Sequence, residues 1–416
     1  MSALQNLPQS WRRLVFLLPV LVAVLILTTG LYNGSLPKPS IPKVVLGDPA
    51  TPAPTQKGEP TTGEQPAFPD SIPDLIRALW APLVVPITAP TFTTLGGIEK
   101  RLPAPEELVH TQPLGKRICI LNVDTRDLDG DGSIFWDKLP SWDKVERPSV
   151  GYISHYLYSA IHGYSYRFVR APKYADRAPH WSKVIFTKEL LKEYDVVVML
   201  DYDTMFPSPE LPLEWLLNYW KIGPDVLVAM AEDPSVDPNF DQRHRVNINS
   251  GFIIAQASND TQRLFKDWAE CPSETRYEGC ATWKEKVFHE QAAFSSHVRY
   301  DFLDGYSIDT HPQYIRMLPC SEANGIPEVT RLPGLTGSDC VGQLVRHYWG
   351  RKELTKREFN NNVMAGFTPL LGKAYQDPNN VGDFRNMVLD GAEILDKPHP
   401  VGSNEEDSTV SFSARP

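Results

Sequence analysis

The stretch YDVVVMLDYDTMF, Tyr194 to Phe206, runs five apolar residues directly into two carboxylates one residue apart. A short, continuously apolar run of this kind suits a strand buried on both faces of a sheet. In an open parallel sheet, ligands bind beyond the carboxyl ends of the strands. Asp201 and Asp203 fall there, immediately after Leu200. Residues two apart in an extended segment project the same way, so both carboxylates can face one ligand. Hard oxygen ligands suit Mg²⁺ or Mn²⁺, ions that bridge a few carboxylates to a diphosphate.

The segments around this strand set its context. RICILNV from Arg117, YSYRFV from Tyr164 and DVLVAMA from Asp225 read as further strands. Ile153, Tyr156, Leu157, Ala160 and Ile161 recur at helical spacing and stop at Gly163, a C-cap residue. Residues 182–193 and LPLEWLLNYW read as two more helices. Strands alternating with helices predict one α/β domain over residues 115–370, a parallel sheet covered on both faces.

The N-terminus carries a different signal. After a thirteen-residue tail ending Arg12-Arg13, Leu14 to Leu31 contain no charge. This run is just long enough to span a bilayer, and longer than the apolar core of a usual signal peptide. It predicts a single-pass type II anchor, with residues 1–13 cytoplasmic and the bulk of the chain in the secretory lumen. Residues 32–114 are rich in Pro, Thr and Gly and read as a stem. Within it, LIRALWAPLVVPI is expected to dock on the domain or form a short helix. Residues 371–416 form a C-terminal extension with a disordered end. Cys271 and Cys280 bracket one short loop and Cys320 and Cys340 another, while Cys119 sits in an apolar run. Two local disulfides and one core thiol fit an oxidising lumen, as do sequons at Asn33 and Asn259. The formal charge of −10, without a basic run, excludes general attraction to nucleic acid. An anionic ligand must therefore be held locally, by a metal or by particular Lys and Arg side chains.

Haloacid-dehalogenase-type phosphatases also place D-x-D-x-T/V after an apolar strand. Here Thr204 comes one position early and Met205 stands where Thr or Val is needed. Their later acidic motif is missing too, because GDFRNMVLD spaces its carboxylates too widely.

An ordered set of motifs from Arg117 to Gly350 resembles the metal-dependent GT-A glycosyltransferases. It is most similar to the fungal galactosyl- and mannosyltransferase relatives of glycosyltransferase family 34. AIHGYSYRFV, HWSKVIFTKELLKEYDVVVMLDYDT, NINSGFII, HEQAAF and VRHYWG carry the resemblance, in the family's order. It implies a GT-A, Rossmann-like nucleotide-diphospho-sugar transferase domain and roles for individual residues. Asp203 and His347 would bind Mn²⁺ or Mg²⁺, and Asp201 the ion or the nucleotide ribose. Asp124 and Lys183 would face the nucleotide and its phosphates, and Asn249 and Gly251 would lie beside the donor sugar. Glu290 would be the carboxylate at the reaction centre, with Gln291 lining the acceptor side. The implied reaction moves a hexose from a nucleotide-diphosphate sugar to a glycan or glycoprotein acceptor, with retention of configuration. The implied location is the Golgi membrane, where complexes with other glycosyltransferases are possible partners.

The loop after the first strand departs from that pattern. DLDGDG, Asp127 to Gly132, matches the opening of an EF-hand calcium loop, but Lys138 stands at the twelfth position where Glu is needed. The loop otherwise reads as a polar active-site loop or a surface turn held by its Asp side chains. Beside the transferase reading stand two alternatives: a non-catalytic GT-A scaffold subunit of a Golgi complex, or a lumenal calcium-binding protein.

Overall fold

The computed structural model describes residues 71–138, 140–303 and 314–376. The cytoplasmic tail, the apolar run 14–31, Asn33, residues 32–70 of the stem and the chain beyond residue 376 lie outside the described residues. Among the described residues, no helix is long and apolar enough to cross a membrane.

Helix α1 (Ile72–Trp80) and the hairpin β1 (Thr91–Thr93) and β2 (Glu99–Arg101) belong to the sequence assigned to the stem. They pack on the domain. Trp80 and Leu102 are buried, and Trp215 Nε1 donates to the Ala89 carbonyl at 2.8 Å. The strands that follow are β3 (Ile118–Asp124), β4 (Ser165–Arg170), β5 (Val196–Leu200), β6 (Thr204–Met205), β7 (Val228–Glu232), β8 (Ile248–Gln256), β9 (Ile315–Leu318) and β10 (Arg346–His347). Six of them form the central sheet in the order β4-β3-β5-β8-β7-β9.

This sheet is mostly parallel, with one exception to the expected pattern. β8 runs antiparallel to both its neighbours, β5 and β7. The connection from β7 to β8 is a long loop that returns to the sheet from the carboxyl end. The carboxyl ends of β3, β5 and β7 therefore meet the amino end of β8, which brings Asn249 and Gly251 to the same side as Asp201.

Alternation along each strand fills two cores. Cys119, Leu121, Val197 and Met199 face one, together with Val184, Leu264, Phe265 and Trp268 from the helices α3 (Ser182–Leu190) and α5 (Asn259–Glu270). Ile118, Ile120, Val196, Val198 and Leu200 face the other, with Tyr158 from α2 (Arg147–His162) and Trp215 from α4 (Leu213–Tyr219). Both faces of the sheet are thus covered, as a continuously apolar strand requires. A smaller cluster holds Met205, Ile326, Val329 and Tyr348 beneath the segment closed by the Cys320–Cys340 disulfide. The residue that breaks the phosphatase motif is a core residue here. Cys271 and Cys280 form the second disulfide. Cys119 is a buried free thiol, its pKa pushed up to about 12 by burial.

Candidate active site

The turn after β5 is fixed from several sides. The Gly251 carbonyl accepts from Asp201 N and from Thr204 Oγ1, each at 2.9 Å. Behind it, His155 Nε2 donates to the Thr204 carbonyl at 2.6 Å, and Asn122 Nδ2 donates to the Leu200 carbonyl at 2.9 Å. Burial pushes the His155 pKa down to about 4, so the ring is neutral, with its proton on Nε2. Helix α2 presses on the turn at Gly151, where any Cβ would lie 1.7 Å from the Tyr202 carbonyl oxygen.

The antiparallel pairing of β6 with β10 sets His347 opposite Thr204. His347 Nε2 then lies 3.4 Å from Asp203 Oδ1, and Tyr348 N donates to the Asp203 carbonyl at 2.8 Å. Asp201, Asp203 and His347 each offer a ligand atom within 4.8 Å of the others. Two hard carboxylates and one imidazole form an acceptable donor set for Mn²⁺ or Mg²⁺. Gly251 is needed for this arrangement, because a Cβ on it would lie 2.1 Å from His347 Cε1. Its role in the fold is to leave room for the imidazole.

Cations balance the carboxylates. Lys183, in the first turn of α3, lies 2.8 Å from Asp201 and 3.1 Å from Glu290. Burial disfavours its charge, but Asp201 and Glu290 outweigh burial and raise its pKa. Lys352 Nζ lies 2.9 Å from Asp203 Oδ2. Burial of Asp203 opposes its ionisation, yet His347 and Lys352 hold its pKa well below the usual carboxylate range. Lys352 has no signal in the strand pattern, since a 3-10 turn places it.

Glu290 opens the short helix α6 (His289–Ala293) and is buried. It accepts from Ser250 Oγ at 2.8 Å, and its Oε2 has no hydrogen-bond partner among the described residues. Burial raises its pKa, but Lys183 and His180 more than offset this, so it stays a carboxylate. Gln291 accepts from Ser250 N at 3.1 Å and donates to Asp233 at 2.6 Å. Asn249 also donates to Asp233, at 2.8 Å, and accepts from Gly251 N. Asp233 was not a sequence candidate, although it closely follows β7 just as Asp201 follows β5. Burial raises its pKa against the three carboxamides that donate to it, from Asn249, Asn324 and Gln291.

Asp124 ends β3 but is already engaged. Arg126 binds both of its oxygens, and Tyr152 OH donates to it at 2.5 Å. What β3 presents to the cleft is therefore the half-exposed Arg126 guanidinium, 5.1 Å from the Tyr202 ring centre. Asp124, Arg126, Lys183, Asp201, Tyr202 and Lys352 line one cleft of about 350 Å³. Asp127, Asp129 and Asp131 are exposed, and no three acids converge there among the described residues.

No curated protein matches the chain. One solved structure to which it is similar is a glycosyltransferase involved in the glycosylation of the major capsid of PBCV-1. That likeness has 13% identity and a TM-score of 0.39, over 58% of this chain and 98% of that one. Residues 177–332 match the family model for nucleotide-diphospho-sugar transferase. The matched segment contains Lys183, Asp201, Asp203, Asn249, Gly251, Glu290 and Gln291, and it supports an enzyme of glycosyl transfer.

Proposed function

We propose that the chain is a GT-A-type, metal-dependent hexosyltransferase. It moves a hexose from a nucleotide-diphosphate sugar to a glycan or glycoprotein acceptor, with retention of configuration. The observation that carries this reading is the convergence of Asp201, Asp203 and His347 beside Lys183, at the carboxyl end of the sheet. Those three residues would hold Mn²⁺ or Mg²⁺, which would supply positive charge to offset the negative charge developing on the departing diphosphate. Lys183, Lys352 and Arg126 add cations along the same cleft, and an acidic chain needs them to hold a diphosphate. Glu290, ionised and buried, with one oxygen that has no hydrogen-bond partner among the described residues, orients the acceptor hydroxyl or stabilises positive charge on the sugar. Asn249 and Gln291 hold Asp233 and thereby fix the strand and helix that border the reaction centre.

The chain is further proposed to be a single-pass type II protein of the Golgi membrane with this domain in the lumen. The apolar run 14–31 and the two disulfides support that reading. Release of nucleoside diphosphate from a panel of nucleotide sugars tests the function. Turnover of at least one donor is expected with Mn²⁺, with loss on chelation and recovery on adding the ion back. Equal turnover in excess chelator would sink the metal-dependent reading.

A further inference from the structure

A second cleft, of about 310 Å³, opens at the same end of the sheet. Phe240 and Asn247 come to it from the loop between β7 and β8, and Trp283 and Phe288 from the loop before α6. Ala292 and Ser296 also line it.

Three features of this cleft point to a ligand. Asn247 is only 4% exposed, yet its Oδ1 has no hydrogen-bond partner among the described residues. A buried carbonyl without a donor is costly, and a ligand hydroxyl would meet that need. The cleft also shares a wall with the donor site. Phe288 lines it, Glu290 follows two residues later, and the intervening His289 stacks on His180, which lines the donor cleft. Phe288 and His289 both have positive φ, 76° and 37°, uncommon for such side chains and often retained at functional sites. Finally, Asn247 and Asn249 are two residues apart in extended chain, a step of roughly 7 Å between the cleft and the carboxamides around Asp233.

The lining chemistry selects the ligand class. Aromatic faces and a carboxamide oxygen without a partner among the described residues suit the apolar face and hydroxyls of a sugar ring. The carboxylate at the cleft is already engaged, because Asp241 is held by Arg299 and Tyr300, and Lys286 lies 4.8 Å from the Trp283 ring centre. A neutral polyol therefore fits better than a cation.

We propose that this cleft binds a neutral sugar unit of the acceptor, away from the reacting hydroxyl. The assignment rests on the glycosyl-transfer reading for the word acceptor, but its test does not require turnover. Ligand-observed NMR with the full chain would use methyl hexopyranosides and hexose disaccharides of the galactose and mannose series. At least one probe is expected to bind the native chain. Its affinity should fall about tenfold in Asn247→Ala, the scale of one lost hydrogen bond to a buried group. Trp283→Leu provides a second variant, with melting temperature checked for both. Binding by no probe, or unchanged affinity in folded variants, overturns the proposal. If sugars bind through Asn247 while no nucleotide sugar turns over, the subsite stands and the transferase reading falls.

Discussion

Two acidic stretches follow two neighbouring strands of the same sheet, and they behave differently. After β5, Asp201 and Asp203 converge with His347 and face Lys183 and Lys352. After β3, Asp127, Asp129 and Asp131 point to solvent, and an exposed contact between Asp131 and Lys144 at 3.8 Å is their nearest ion pair. The loop is ordered by its backbone instead. Phe135 N donates to the Leu128 carbonyl, and Glu146 N to the Gly132 carbonyl. Gly132 has φ 86°, and a Cβ there would lie 2.2 Å from the Lys144 carbonyl oxygen. Its glycine answers a close chain crossing. Carboxylates stand at every second position in both stretches. What separates them is burial and the countercharge brought by distant segments.

The largest effect that separates the two stretches is on turnover. Asp203→Ala removes a buried member of the proposed metal cluster and should lower nucleotide release in the presence of Mn²⁺ by about 10³-fold, as loss of several kcal/mol of charge stabilisation requires. Asp129→Ala should leave the rate within about twofold, because an exposed loop carboxylate contributes little. Steady-state rates at saturating Mn²⁺ compare the two. Comparable losses would erase the distinction.

A finer probe acts through the shape of the site and leaves every ligand in place. Gly251→Ala drives a Cβ into the His347 ring, which is buried and pinned by the β6–β10 pairing. Manganese affinity should fall roughly 10- to 100-fold, as for changes that misplace a metal ligand. Overpacking should also cost about 1–3 kcal/mol of stability. Calorimetric titration with Mn²⁺ and a denaturation curve read both. Unchanged affinity would mean that His347 is not a ligand.

The legibility of these regions in the sequence follows from the same physics. β5 was readable because a short apolar run has few other uses, and its terminal carboxylates inherit a position from it. The reversed direction of β8 was not readable, because SGFIIA is equally apolar whichever way it runs. His347 was placed by resemblance, while the pairing that delivers it depends on a two-residue register. Asp233 could have been found by applying to β7 the rule used for β5. Lys352 and Arg126 could not, since their value lies in which carboxylate they meet. Within residues 32–114, LIRALWAPLVVPI stood out as a docking segment and Trp80 in it is buried, but the Pro-rich composition hid the later anchors Phe92 and Leu102.

The smallest expected effect concerns the acidic loop alone. A calcium site with free ion at a hundred times its dissociation constant would stabilise the fold by about 2.7 kcal/mol, enough to move the melting temperature by several degrees. Exposed carboxylates that do not converge gain no such term. Calcium titration, read by thermal denaturation in the presence of saturating Mn²⁺, should therefore produce no shift beyond about 1 °C. Combined replacement of Asp127, Asp129 and Asp131 by Asn should change stability by no more than about 0.5 kcal/mol. A calcium-dependent shift abolished by that triple replacement would show that the loop closes around an ion, and would make the two acidic stretches two metal sites.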